Sequence, residues 1–117
     1  MSQAVALISS YTADNVQEQN QRRLISTLEA NKIDFITVDG ANPDEKEVRD
    51  VLFSTSTKRG KYPQLFIKEE EGQYTFIGLW EEIESLIECD ALPAEVLEAN
   101  PNIPTFSKTF ANVKKIE

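Results

Sequence analysis

Tyr62-Pro63-Gln64-Leu65-Phe66-Ile67 leads through Lys68-Glu69-Glu70-Glu71-Gly72-Gln73 into Tyr74-Thr75-Phe76-Ile77. Two short runs rich in aromatic and aliphatic residues flank a charged, glycine-containing segment, a pattern that predicts an antiparallel hairpin. Downstream, Gly78-Leu79-Trp80 opens a helix. Glu81, Glu82 and Glu84 carry the charge sign that a helix N-terminus favours, and Ile83, Leu86 and Ile87 supply its inward face.

Upstream of the hairpin the pattern alternates between strand and helix. Ala4-Val5-Ala6-Leu7-Ile8 is a continuous apolar run, as in a strand buried on both faces. Asp14, with Gln17 three residues on, marks a helix start; Val16, Leu24, Ile25 and Leu28 form the apolar stripe, and Asn31 can close it. Ile33 to Val38 reads as a second strand, and strand–helix–strand connectivity makes the two strands parallel. Asn42-Pro43-Asp44-Glu45 opens a second helix, with Val48, Val51 and Leu52 as its buried face. Thr57 to Lys61 is a polar loop. The order βαβαββα predicts an α/β domain over residues 1–93, with a four-stranded mixed sheet covered by helices. Residues 94–117 form a C-terminal extension.

Composition narrows the chemistry. The 117 residues suit one hydrophobic core, and no apolar run approaches the ~20 residues that span a bilayer. Met1-Ser2-Gln3-Ala4 lacks the basic start of a signal peptide, so a cytoplasmic location is expected. The net charge is −8; the extension is neutral, with three lysines against three glutamates, so the excess lies on residues 1–93. That sign disfavours nucleic acid and anionic membranes as partners. One cysteine, Cys89, and no histidine leave no Cys-x-x-Cys pair, no common general base and no expected metal site.

The element order, with Tyr62-Pro63-Gln64-Leu65-Phe66-Ile67 entering the third strand and Gly78 preceding the last helix, resembles the thioredoxin-like fold of glutaredoxins. Leu28-Glu29-Ala30-Asn31-Lys32-Ile33 and the cysteine-free Ser9-Ser10-Tyr11-Thr12 further resemble the SH3-domain-binding glutamic acid-rich-like family, glutaredoxin relatives without the redox motif. The resemblance covers about residues 4–90. It implies a cis Tyr62–Pro63 bond and a ligand or peptide groove that includes Ser10, Tyr11, Tyr62, Pro63 and Trp80. It also implies that Lys58, Arg59 and Lys61 stand where glutaredoxins hold the glycine carboxylate of glutathione, with Gly78 and Glu81 near its other end. Leu79 occupies the place of a second glycine that allows close approach, so any glutathione affinity is expected to be weak.

The residues themselves give each position a plainer reading as well. Ser9 to Asn15 can simply turn the chain and cap a helix. Hydroxyls there cannot replace a thiol, and nucleophilic use would need a base. Cys89 reads as a small packed residue. Lys58, Arg59 and Lys61 read as a solvated loop, and the glutamates from Glu81 to Glu88 as a solvated face. Pro101-Asn102-Ile103-Pro104 has the spacing of a minimal proline-rich ligand without an adjacent cation. Trp80 is either core or a binding anchor. In the extension, Phe106, Phe110 and Val113 share one helical face, which is expected to fold back on the domain. The functional expectation is a non-enzymatic, redox-inactive adaptor. It would be a monomer without a cofactor, binding a protein through the groove. A weak glutathione or small-molecule binder is the alternative, and a monothiol oxidoreductase using Cys89 a third.

Overall fold

A computed structural model describes residues 2–12 and 14–116. Met1 and Glu117, at the outer bounds of the two expected segments, and Ala13, inside the loop after the first strand, lie outside the described residues. The strands are β1 (Gln3–Ile8), β2 (Phe35–Asp39), β3 (Gln64–Lys68) and β4 (Tyr74–Leu79), in spatial order β2-β1-β3-β4. β1 and β2 are parallel, whereas β1–β3 and β3–β4 are antiparallel. The hairpin closes through Glu69 and Gly72, the latter at φ +93°, where a side chain would be strained.

Helices cover both faces. The helices α1 (Asn15–Ala30) and α3 (Trp80–Asp90) lie on one face, where Ala4, Ala6, Leu65 and Ile67 meet Leu24, Leu28, Trp80 and Ile83. The helix α2 (Lys46–Ser56) covers the other, where Val5, Leu7, Val38 and Phe66 meet Leu52 and Phe53. Residues 4–8 of β1 and 65–67 of β3 alternate between these two cores, which is why both runs are apolar between the polar ends Gln3, Gln64 and Lys68.

Several local expectations need correction. Val16 is 64% exposed and Val51 50%, and Val48 is also exposed. The helices roll so that Gln21 on α1, and Phe53 and Ser56 on α2, face inward instead. β2 begins at Phe35, because Ile33 follows a left-handed Lys32 and drops into the core before pairing starts. Asn42 does cap a turn, accepting from the Asp44 N–H, but residues Pro43–Glu45 form a 3₁₀ turn before α2. The Glu45 carboxylate accepts from the Asp39 N–H at 2.6 Å, tying that turn to the end of β2.

The C-terminal segment adds two short helices, α4 (Ala94–Ala99) and α5 (Phe106–Thr109), and folds back on the body. Phe106, Phe110 and Val113 are buried in the α1/α3 core, with the two rings 4.6 Å apart. Val113 lies beyond α5, so the seven-residue spacing works through a helix and a following turn rather than one continuous helix. Backbone bonds from Lys114 N–H to Ser2 O, Asp34 N–H to Lys114 O and Ile116 N–H to Lys32 O stitch the segment to the body.

Candidate functional site

The β1–α1 connection, the loop before β3 and the start of α3 all lie at one end of the sheet. Asp14 caps α1, its carboxylate accepting from the Val16 and Gln17 N–H groups at 2.8 and 3.3 Å. These bonds place a negative charge at the helix N-terminus, so an anionic ligand there would meet repulsion. Gln21, one face further along, uses its whole amide on Ser9. The Ser9 N–H donates to Oε1 at 2.8 Å, and Nε2 donates to the Ser9 carbonyl at 3.1 Å.

The loop before β3 is held from inside. Gln64 is fully buried, and its Nε2 donates to the Lys58 and Lys61 carbonyls at 2.7 and 2.8 Å. The Tyr62–Pro63 bond is cis, and Pro63 is buried. The Tyr62 ring turns inward against Phe53, 6.0 Å between centroids, and against Gly40, where a Cβ would overlap the ring. Burial pushes the Tyr62 hydroxyl above the usual phenol range, against the pull of the nearby Arg49. With the ring anchored behind, neither the N–H nor the C=O of Tyr62 has a hydrogen-bond partner among the described residues.

Beside that backbone lies a cavity of about 270 Å³. Lys61, Tyr62, Leu79, Trp80 and Glu81 form one side, and Asp14, Val16, Gln17 and Asn20 the other. Four of the residues expected in a groove, Lys61, Tyr62, Trp80 and Glu81, therefore meet. Trp80 is 8% exposed, so it serves the core and offers the cavity only an edge.

The remaining expected residues go elsewhere. Ser10 donates its N–H to Asp39 and lines a separate hollow of about 600 Å³ on the far side of α1. Tyr11 is 89% exposed. Lys58 is exposed at the loop, while Arg59 reaches back to Asp50 at 3.8 Å and lies 5.2 Å over the Phe53 ring. Gly78 is buried at the end of β4, where a Cβ would come within 2.7 Å of Glu82 Cβ. The close packing of β4 against α3 accounts for that glycine without a ligand.

Sequence reading missed the α1 wall. Val16, Gln17 and Asn20 are spaced at helical intervals, which puts them on one face, but only the roll of α1 decides that this face looks toward Tyr62. Cys89, half-buried in the last turn of α3, is not among the cavity's lining residues. The described residues hold no cluster of three or more metal-binding side chains. What the arrangement offers is the unpaired N–H and C=O of Tyr62, a small apolar floor and two exposed charges of opposite sign, Lys61 and Glu81.

These features define a two-faced α/β domain with a mixed four-stranded sheet and a shallow cleft at one end. Among solved structures it is similar to actin interacting protein 5 (Aip5, wild type), with a TM-score of 0.56 and 28% identity. That similarity covers 71% of this chain and 79% of the other. No protein-family model matches the chain, and no curated protein matches it.

Proposed function

We propose that this chain is a redox-inactive, glutaredoxin-like protein-binding module. In this reading the fold is of the thioredoxin type, and the chain is a relative of the SH3-domain-binding glutamic acid-rich-like proteins. It works as an adaptor, not an enzyme, holding an extended segment of a protein partner in the cleft beside Tyr62. The observation that carries the reading is the unpaired Tyr62 backbone on the lip of that cavity. A free N–H and C=O next to an apolar floor can pair with a peptide as a strand does, leaving side-chain pockets to give selectivity. A cytoplasmic setting, with neither membrane nor nucleic acid as partner, goes with this reading. Among the described residues no helix is long and apolar enough to cross a membrane.

The name of the structural neighbour makes actin the first protein to try. In a titration of isotope-labelled full chain with monomeric actin, backbone shifts should concentrate at Lys61, Tyr62, Leu79 and the first turns of α1. Lys61→Glu should weaken the interaction. Binding that shifts other regions and ignores Lys61→Glu would sink the cleft as its site. A parallel titration with glutathione tests the small-molecule alternative, in which saturable shifts at the same residues appear and actin gives none. Reduction of a glutathione mixed disulfide should stay at the buffer rate. Turnover lost in Cys89→Ser would instead establish a monothiol enzyme.

A further inference from the structure

α1 and α3 lie side by side on the same face of the sheet, and a second groove runs between their outer surfaces. Its volume is about 750 Å³. Arg22 and Arg23 stand on the α1 wall, Glu84 and Glu88 on the α3 wall, and Trp80 and Ile87 on the floor. Opposite charges therefore line opposite walls, yet no ion pair crosses the groove among the described residues. Arg22 is paired with Glu18 of its own helix at 2.6 Å, and Arg23, Glu84 and Glu88 enter no ion pair among the described residues. If the two walls served only each other, these long side chains would be expected to reach across. Instead they flank a small apolar patch, half-buried Ile87 and an edge of Trp80, with Ser26 and Thr27 beside it.

We infer that this groove receives an amphipathic helix of a protein partner, acidic along the edge that meets α1 and basic along the edge that meets α3. An apolar stripe laid on Ile87 and the edge of Trp80 would supply burial, as in other helix-in-groove contacts. The two charged edges would fix the lateral position and direction of the helix, which is the usual gain from charge complementarity at an interface. The groove shares Trp80 but no other lining residue with the cleft at Tyr62, so charge variants can test the two surfaces separately. The bipolar walls also argue against a uniformly acidic or uniformly basic partner, because either would set like charges against one wall.

The chain has a single tryptophan, and it borders both this groove and the cleft at Tyr62, so Trp80 emission reports binding at either, and variants of the two walls assign it to the groove. The probe is a helical peptide of about 20 residues, long enough to be helical in water. It carries a leucine stripe, glutamates along one edge and lysines along the other. The full chain should give a saturable emission change with this peptide. Affinity should be at least about tenfold higher than for peptides with all-lysine or all-glutamate edges. Arg22→Glu combined with Arg23→Glu makes both walls acidic and should shift the preference to the all-lysine peptide. Glu84→Lys combined with Glu88→Lys should shift it to the all-glutamate peptide, so two variants serve in case one folds poorly. Lys61→Glu, in the other cleft, should leave the peptide affinities as they are. Equal affinity for all three peptides, no saturation, or preferences unchanged in the wall variants would overturn the inference. So would a concentration-dependent doubling of mass that either wall variant abolishes, since the groove would then belong to a second copy of the chain.

Discussion

At the end of the sheet where β1 begins and β3 finishes, the C-terminal segment closes the structure. Lys114 and Ile116 exchange backbone hydrogen bonds with Ser2, Asp34 and Lys32, while Phe106 and Phe110 are buried in the adjoining core. Lysines are drawn into this closure. Lys115 Nζ donates to the Phe110 and Val113 carbonyls at 2.6 and 3.0 Å, and Lys108 Nζ to the Pro101 and Ile103 carbonyls at 3.1 and 2.9 Å. At the opposite end, where β1 finishes and β3 begins, Tyr62 keeps an unpaired backbone, Tyr11 projects into solvent, and Lys61 makes no ion pair among the described residues. One chain thus treats the same kinds of groups in two ways. Where the end is sealed, ammonium and amide groups satisfy neighbouring carbonyls; where it is open, comparable groups are held in place but left available.

The strongest way to break this contrast is to unseal the closed end. Phe110→Ala removes a ring buried to 2% exposure and should lower unfolding free energy by about 3–5 kcal/mol, read from the urea midpoint at constant slope. A loss under about 1 kcal/mol would mean that the cavity collapses freely and the segment is only loosely attached.

The closed end was legible in outline. Phe106, Phe110 and Val113 announced a buried face; of the two lysines that follow, Lys114 lies 3.4 Å from Asp34, whereas Lys115 bonds carbonyls of its own segment. The β-hairpin, the parallel β1–β2 pair and the Asp14 cap followed from local pattern, because turn chemistry and strand-length apolar runs act over a few residues. Helix roll did not follow. Val16, Val48 and Val51 are apolar yet face solvent, and Gln21 is polar yet buried. Choosing between them depends on which side of each helix the sheet happens to meet. The Pro101–Pro104 spacing also misleads as a ligand signal. Ile103 N–H bonds back to Asn100 O and Lys108 holds two of the carbonyls, so the segment is a latched turn and not an extended ligand. At the open end, Lys61, Tyr62 and Glu81 were readable as neighbours of Pro63 and Gly78. Arg59 was not separable from Lys61 by sequence, since only the position of Phe53 and Asp50 decides where its guanidinium goes.

A second, smaller effect sharpens the comparison at the open end. Gln21→Ala leaves the buried Ser9 N–H and C=O without their side-chain partner and should cost about 1–3 kcal/mol. Gly40→Ala probes the same end from the other face. Its Cβ would displace the Tyr62 ring, with an expected cost of about 1–3 kcal/mol and an altered near-ultraviolet tyrosine signal.

A pH dependence should also originate here. Burial works against ionisation of Asp39, but hydrogen bonds from the Ser10 side chain and backbone and from the Ala41 N–H together hold its carboxyl below the ordinary value of 3.8. A carboxyl depressed in the folded state stabilises it above its unfolded value. That contribution disappears as pH falls from about 3.8 through the folded value. Asp39→Asn should therefore flatten the acid limb of a stability–pH curve taken between about pH 6 and about pH 2. An identical limb in the variant would assign acid sensitivity to other carboxylates.

The smallest expected change is the most telling. Lys61→Glu reverses an exposed charge that makes no ion pair among the described residues, so unfolding free energy should move by no more than about 0.5 kcal/mol. In a chain of net charge −8 the substitution adds two further negative units, and that long-range repulsion is screened within about 10 Å at ordinary salt. The same substitution is expected to weaken partner binding at the cleft. A residue whose reversal leaves stability untouched while changing binding is one the fold does not require, which is what separates an open end from an unfinished one. If Lys61→Glu instead lowered stability as much as Gln21→Ala, Lys61 would be a structural part of the loop before β3. The contrast between the two ends would then reduce to a difference in depth of burial.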